Sequence, residues 1–283
     1  MPPLALVFVV IAATCHAAWN FSLKKAEDKE VITWWAITLG ASSMLPLVSP
    51  QAALPAAIWP YILGSAVAEV IYYWILIRAY EQADFSLAYP IARGAAPALL
   101  MFWSMLLMNE RPTSLGLTGV IFILAGLMNV ARGEKAHNLR GMHAKGVALA
   151  LIVAVMISIY SFIDAAAVRM VAPLPYLAMV HALTGFFLLP LVVQRHGWRA
   201  ILAKGRFHFP HIAWIAVLMP LGYILVLKAY AMAPVSYVGA MREVSIVFAA
   251  FAGWRWLGED FGRRRSLGAL LIFGGILLVA IGG

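Results

Sequence analysis

The chain has 283 residues, of which 64% are hydrophobic and only 12% charged, and its mean hydropathy is +0.89. A soluble domain of this length could not bury so much apolar surface in one core with so few charges outside. The composition therefore indicates an integral membrane protein. The net charge is +9, but the basic residues lie in short connectors between apolar runs, which argues against nucleic-acid binding.

Apolar runs long enough to cross a bilayer recur along the whole chain. A spanning helix needs about 20 such residues, and the alternating segments of a membrane barrel are absent. The sequence therefore predicts an all-α membrane protein with ten transmembrane helices: Leu4–Phe21, Val31–Val48, Ala56–Tyr80, Phe85–Met108, Thr113–Val130, His143–Ala165, Leu174–Gln194, Pro210–Ala231, Val235–Trp254 and Leu267–Ile281.

The connectors predict the orientation of the chain. Of the 21 Lys and Arg residues, 16 fall in connectors on one side and three on the other, and the remaining two are Arg93 and Arg242. Positive residues are retained on the cytoplasmic side. Both termini are therefore predicted to be extracytoplasmic, in a bacterial inner (plasma) membrane.

The second half of the sequence repeats features of the first. "RAYEQADFS" from Arg78 matches "KAYAMAPVS" from Lys228 at an offset of 150, and after a one-residue slip Arg93 pairs with Arg242 and Glu110 with Glu259. The glycine pairs Gly119 with Gly268 and Gly126 with Gly275 share the second offset. Chance could match apolar residues, but paired Arg and Glu in a chain so poor in charge favour a duplication.

The length of the repeat predicts its geometry. An offset near 150 corresponds to five spans, and because five is odd, the second half must insert upside down relative to the first. The predicted halves are residues 1–140 and 141–283, which together form one transport domain. Inverted repeats are typical of secondary transporters, whose substrate site lies near the midplane between the halves.

These features resemble the drug/metabolite transporter superfamily, EamA-type branch. Each half has a helix ending in "A-Y", a short turn, a helix ending in "NE" or "GE", and a glycine-bearing helix. The resemblance covers nearly the whole chain and implies a ten-helix transporter of small molecules. Within that branch, "AEVIYYWILIRAY" (68–80) and the helix carrying Pro97 are similar to the bacterial aromatic amino acid exporters, although "RGAAP" (93–97) departs from their aromatic pattern.

Arg93 and Arg242 lie several residues inside the fourth and ninth predicted helices. A charge facing lipid at that depth costs on the order of 3 kcal/mol. One interpretation is a structural arginine that is bonded to carbonyls or snorkels to the surface; the other is a guanidinium that lines the pathway and holds a substrate carboxylate. Adjacent helical residues point about 100 degrees apart, so Glu243 is predicted to pair with another helix, with Arg93 as the candidate.

Glu69 is a second buried acid, halfway along the third predicted span, with Tyr73 four residues later on the same face. A structural protonated acid, a proton carrier and a counter-charge for an amino group all remain open. Asp164 and Lys228 lie near predicted helix ends, where snorkelling to the surface explains them. His181 is interpreted as a satisfied core histidine.

Aromatic and amide side chains complete the candidate substrate site. Packing alone is an alternative for each of them, but aromatic walls with a few polar groups suit a small amphiphilic ligand. The candidates are Trp19 with Asn20 in the first span, Tyr89 four residues before Arg93, Tyr160 in the sixth span and Tyr223 in the eighth.

The sequence has one cysteine and lacks a GxxxxGK[ST] loop, an HExxH motif and an intramembrane aspartate pair. No metal, cofactor, nucleic-acid partner or enzymatic activity is therefore expected. The predicted function is a monomeric secondary transporter that exports small amphiphilic metabolites by alternating access, with aromatic or other hydrophobic amino acids favoured. The alternatives are a transporter of anionic, phosphorylated metabolites and, further removed, an intramembrane enzyme or a receptor.

Overall fold

The computed structural model describes residues 1–24, 26, 28–48, 54–82, 85–131, 143–245, 248 and 263–282, and within these ranges the regular elements are helices without strands. Two short 3₁₀ helices, Leu45–Leu47 and Ala56–Ile58, lie between the second and third α-helices. The α-helices are α1 (Pro3–Lys24), α2 (Lys29–Met44), α3 (Trp59–Gln82), α4 (Phe85–Leu107), α5 (Ser114–Ala131), α6 (His143–Ala167), α7 (Pro173–His196), α8 (Trp198–Phe207), α9 (Phe209–Tyr230), α10 (Val235–Arg242) and α11 (Arg263–Gly282).

Each predicted span coincides at least in part with one of these helices. Within the described ranges, five segments are long and apolar enough to cross a membrane: Pro3–Leu23, Ala56–Leu76, Ala148–Ala167, Pro173–His196 and Phe209–Tyr230. Shorter apolar helices cover Ala95–Leu107, Ser114–Gly126 and Leu270–Val279. The far end of the ninth predicted span and the predicted boundary at residue 140 lie outside the described residues, so the count of ten spans stays a prediction.

Helix α8 was not predicted, because its sequence is a basic connector. Gly197 ends α7 at φ +74, a backbone conformation open to glycine, and the chain then turns into α8. Ile201 and Gly205 form its buried face. The Nε1 of Trp35 donates a hydrogen bond to the carbonyl of Ile201 at 3.0 Å, which fastens α8 to α2.

The outward faces of the helices are apolar. In α1, Leu4, Val7 and Ile11 are exposed, whereas Ala5 and Val9 on the opposite face are fully buried. An apolar exterior is unfavourable in water and suits contact with lipid, where every backbone polar group is satisfied within a helix.

Helix packing follows the sequence repeat. The repeat pairs α1 with α6, α2 with α7, α3 with α9, α4 with α10, and α5 with α11. Helix α3 packs on α6 as α9 packs on α1, and α3 packs on α7 as α9 packs on α2. Three further interfaces join helices that the repeat pairs with each other, α2 with α7, α4 with α10, and α5 with α11, and α4 also packs on α6. The interfaces of α3 and α9 with the other helices, together with those between repeat-paired helices, are what a two-fold relation between the halves produces.

Glycines at the α5–α11 interface show the relative direction of these two helices. A Cβ added at Gly119 would lie 2.7 Å from the carbonyl oxygen of Gly275, and one added at Gly126 would lie 2.6 Å from that of Gly268. The later glycine of α5 therefore contacts the earlier glycine of α11. The two helices, which the repeat pairs with each other, run antiparallel, as inverted halves require. Close approach of this kind needs residues without side chains.

We expect Gly275→Ala to lower the stability of the protein and Gly274→Ala to preserve or raise it. The Cβ at position 275 would lie 2.5 Å from the carbonyl oxygen of Gly119, whereas nothing lies within 4 Å of a Cβ at position 274. Overpacking costs about 1–3 kcal/mol, while Ala is favoured over Gly in a helix by roughly 1 kcal/mol. Thermal unfolding of the two purified variants measures the contrast, and equal melting temperatures would contradict the close contact.

Candidate functional site

The pair Arg242 and Glu243 lies where a helix ends inside the protein. Helix α10 ends at Arg242, and Glu243 and Val244 continue as a turn whose N–H groups bond to the carbonyls of Ala240 and Met241, three residues back. Glu243 is fully buried and Arg242 is 5% exposed. A break in a helix is tolerated at membrane depth where the backbone is buried in protein or lines a cavity.

Glu243 joins the two halves of the chain. Its Oε2 lies 2.8 Å from the Nε of Arg93 on α4, which confirms the predicted pairing of Glu243 with Arg93. The expectation that Glu243 pairs with another helix instead of with its neighbour Arg242 is wrong in part, because its Oε1 also lies 3.6 Å from the Nε of Arg242. The 100-degree rotation applies within a continuous helix, and the helix has already ended at Arg242.

A cavity lies beside this cluster, between helices of both halves. In this conformation its volume is about 60 Å³, which is room for a few water molecules; a larger solute requires the lining helices to move apart. The lining residues are Ala12, His16, Trp19, Glu69, Tyr72, Tyr73, Arg93, Tyr160, His181, Met219, Gly222, Tyr223, Val226 and Arg242.

Seven of the ten predicted site residues line this cavity: Trp19, Glu69, Tyr73, Arg93, Tyr160, Tyr223 and Arg242. Of the other three, Glu243 lies behind the two arginines as their shared counter-ion. Asn20 is not among the lining residues, and its amide donates to the carbonyl of His16 at 2.8 Å. The side chain of Tyr89 lies outside the described part of the structure.

The sequence repeat continues into the cavity wall. At the offset of 150, Tyr73 corresponds to Tyr223, and both line the cavity. Arg93 and Arg242 are a second mated pair on the wall. The cavity is therefore lined by equivalent residues of both halves. In transporters built from inverted repeats, the substrate site lies at this interface between the halves.

The residues that the two halves contribute to the cavity wall differ in charge and size. Glu69 corresponds to Met219, and Tyr72 corresponds to Gly222, at the same offset of 150. Glu69 is thus the only carboxylic acid among the described lining residues, and it belongs to the first half alone. Its Oε2 accepts a hydrogen bond from the hydroxyl of Thr184 on α7 at 2.8 Å.

Aromatic rings form a continuous part of the wall. The ring centroids of Tyr72 and Tyr160 are 5.8 Å apart, and those of Tyr160 and Tyr223 are 6.2 Å apart, both in edge-to-face arrangements. On α1, the ring centroids of the lining residues His16 and Trp19 are 4.9 Å apart. Rings held by such contacts give a rigid apolar surface for a ligand.

Asp164 is a buried polar residue that the sequence interpretation misplaced. Instead of snorkelling, it is fully buried. Its Oδ1 accepts a hydrogen bond from the hydroxyl of Tyr176 at 2.7 Å, and its Oδ2 accepts one from the hydroxyl of the cavity residue Tyr223. Three residues after Asp164, α6 ends, but α7 folds back and covers this end. Lys228, by contrast, is exposed as expected.

Two histidines were missed or misread as well. His16 and His181 both line the cavity. The Nδ1 of His181 is buried without a hydrogen-bond partner among the described residues, so this histidine is not the satisfied core residue that the sequence suggested. Within the described ranges, no group of three His, Cys, Asp or Glu residues is arranged to hold a metal ion.

Glu110 fastens the α4–α5 connector to α10, the helix that carries Arg242. Asn109 adopts φ +53, which asparagine tolerates. Glu110 Oε1 then accepts from the N–H of Val235 at 2.6 Å, and its Oε2 accepts from the N–H and hydroxyl of Ser236 at 3.2 and 2.8 Å. A carboxylate at a helix N-terminus satisfies free N–H groups and the helix dipole.

We expect Glu110→Ala to lower the free energy of unfolding by about 1–3 kcal/mol, because it leaves these donors unpaired. Arg111→Ala, at the exposed neighbouring position, is the matched control and should be close to wild type. Thermal unfolding in detergent compares the two variants, and identical melting temperatures would show that Glu110 does not hold α10 in place.

Comparison with known proteins agrees with this architecture. The profile of the EamA-like transporter family matches residues 3–132 and again residues 144–281, so each half is matched separately. No curated protein matches the chain. A solved structure titled "Crystal structure of protein" has a TM-score of 0.75 and 17% identity, covering 98% of this chain and 97% of that chain, a likeness in fold. With both halves matched over nearly the whole length, the chain belongs to the EamA-like transporter family.

Proposed function

We propose that this EamA-like transporter is a secondary transporter that exports small amphiphilic metabolites, with aromatic or other hydrophobic amino acids as favoured substrates. Family membership supports membrane transport of small molecules. The observation that carries the finer proposal is the cavity itself, which presents two arginines, one carboxylic acid and an aromatic wall within a single site.

The charged groups suit a zwitterion. Arg242 makes one long hydrogen bond, from Nη1 to the hydroxyl of Ser161 at 3.4 Å, and shares Glu243 with Arg93. One carboxylate between two guanidiniums leaves a net positive charge on that side of the cavity, which favours a substrate carboxylate. Glu69 offers a counter-charge for the substrate ammonium group.

The aromatic wall suits a hydrophobic side chain. Tyr72, Tyr160 and Tyr223 present adjoining ring edges and faces, and Met219 and Val226 complete an apolar surface. A ligand with an aromatic or aliphatic side chain gains stacking and burial there without needing a polar partner.

A transporter of anionic, phosphorylated metabolites is the second candidate. The observation in its favour is that both arginines line the cavity, and planar guanidinium groups bind phosphate well. Against it, Glu243 already neutralises one of the two positive charges, and Glu69 would face the anion directly. An intramembrane enzyme or a receptor is a further alternative, distinguished by whether a solute crosses the membrane chemically unchanged.

Flux measurements in proteoliposomes test the proposal. Purified protein is reconstituted, and the entry of labelled phenylalanine is measured against protein-free vesicles. We expect protein-dependent flux of unmodified phenylalanine, reduced by excess unlabelled tryptophan and unaffected by a sugar phosphate. Inhibition by the sugar phosphate but not by tryptophan would support the anion transporter instead, and chemical change of the solute would support an enzyme.

The proposed orientation is tested by reporter fusions. A reporter that is active only in the cytoplasm should be silent at both termini, because the distribution of basic residues in the connectors predicts that both ends lie outside the cytoplasm. Each fusion is compared with the same reporter inserted in the basic connector after Arg132. Activity at either terminus would overturn the proposed orientation.

A further inference from the structure

Asp164 is a buried carboxyl group that substrate binding does not use. It projects from α6, and its two oxygens accept hydrogen bonds from tyrosines of two other helices, Tyr176 on α7 and Tyr223 on α9. Asp164 does not line the cavity, but Tyr223 does. Tyr223 therefore connects the cavity, which it lines, with a carboxyl group behind the cavity wall, to which its hydroxyl donates.

The charge balance of the protein interior is uneven. The buried charged residues in the described ranges are Arg93, Arg242, Glu69, Asp164 and Glu243. With every group ionised, two arginines and three carboxylates give a net charge of −1. Glu243 contacts both arginines, whereas Asp164 forms no ion pair among the described residues. A single proton on the remaining carboxyl groups would bring this cluster to neutrality, which the low-dielectric interior favours.

The ionisable groups around Asp164 come from every helix packed near it. Glu69 on α3 and Arg242 on α10 lie within electrostatic range, and so does Tyr230 on α9. Arg93 on α4 and Tyr160 on α6 line the neighbouring cavity. Of these groups, Glu69 carries the like charge and lines the cavity itself.

We propose that Asp164 carries the proton that this transporter exchanges for its substrate, with Tyr223 as the route between the cavity and the carboxyl group. This inference rests on the proposed function, since it assigns the coupling ion of the same cavity. A hydronium ion in the cavity gives a proton to the hydroxyl oxygen of Tyr223, whose own O–H bond breaks as its proton passes to Oδ2 of Asp164. The products are water, an intact tyrosine and a protonated Asp164.

The geometry makes substrate and proton exclude each other. A substrate ammonium group bound at Glu69 brings a positive charge within electrostatic range of Asp164, which favours release of the proton. Loss of the substrate restores the unbalanced negative charge and favours proton uptake. The cavity then carries either substrate or proton across the membrane, which is the condition for exchange in opposite directions.

Infrared difference spectroscopy tests the site without any substrate. Spectra of the purified full-length protein are recorded in acidic and alkaline buffer. We expect the wild type to show the carbonyl band of a protonated carboxyl group that titrates. Asp164→Asn should lose this band. The control variant Glu30→Gln, in the first turn of α2, should keep it. Tyr223→Phe should shift the band, because it removes a hydrogen-bond donor from Asp164. Absence of the band in the wild type, or its loss in Glu69→Gln but not in Asp164→Asn, would overturn the assignment.

Transport measurements test the coupling. With labelled phenylalanine, Asp164→Asn should retain exchange of internal for external substrate but lose accumulation driven by a pH gradient. Accumulation that persists in Asp164→Asn at the wild-type level would overturn the proposal. If the wild type itself does not transport phenylalanine, the proposed substrate fails, while the infrared result still decides whether Asp164 holds the proton.

Discussion

Replacing Arg242 with Met should reduce phenylalanine flux about tenfold to a hundredfold while leaving a folded, inserted protein. A hydrogen bond to a charged group contributes about 1.5–3 kcal/mol, and each 1.4 kcal/mol corresponds to about a factor of ten in affinity. Met keeps the length and apolar stem of the side chain, and Glu243 retains Arg93 at 2.8 Å. Initial rates of flux in proteoliposomes at matched protein content measure the effect.

Lys228→Met is the matched control for this experiment. Lys228 lies in the last turn of α9 and is exposed, so the same change of residue type removes a charge far from the cavity wall. Its flux should stay near wild type. Normal flux in both the Arg93→Met and Arg242→Met variants would mean that these arginines serve helix packing and not substrate binding.

Glu243→Gln should destabilise the protein by about 3–5 kcal/mol, the usual cost of leaving a buried charge without its partner. The change removes the carboxylate that Arg93 and Arg242 share. Arg93→Met should cost less, because Glu243 then keeps Arg242 at 3.6 Å. Unfolding of the purified variants in detergent measures both values.

The double variant Arg93→Met with Glu243→Gln separates pairing from packing. It leaves one unpaired guanidinium instead of two, so its stability should exceed that of Glu243→Gln alone despite the additional change. Strictly additive losses would show that the contact between Arg93 and Glu243 contributes nothing, since coupled residues depart from additivity.

The repeat allowed much of the fold and part of the site to be predicted from the sequence. Charged residues are rare in the spans, so the alignment of Arg93 with Arg242 by the repeat indicated equivalent positions in the two halves. Both arginines line the cavity between the halves. Glu69 and Tyr73 were predicted to share a face from helical spacing, and both line the cavity.

Other features depend on contacts that helical periodicity does not encode. Helix α10 ends at Arg242 although no Gly or Pro follows directly in the sequence, so the contact of Arg242 with Glu243 was missed. Asp164 was assigned to a helix end because it lies near the end of a predicted span. Its burial was missed because that burial depends on α7, whose Tyr176 donates a hydrogen bond to it.

Cysteine labelling tests the central claim, that the cavity between the halves opens alternately to the two sides of the membrane. Cys15 is the single cysteine of the chain, so Cys15→Ala with Met219→Cys places one thiol on the apolar wall of the cavity. A membrane-impermeant maleimide is applied to right-side-out and to inside-out vesicles. We expect labelling from both sides, slowed by phenylalanine in each case; labelling from one side only, or rates that phenylalanine leaves unchanged, would contradict the claim.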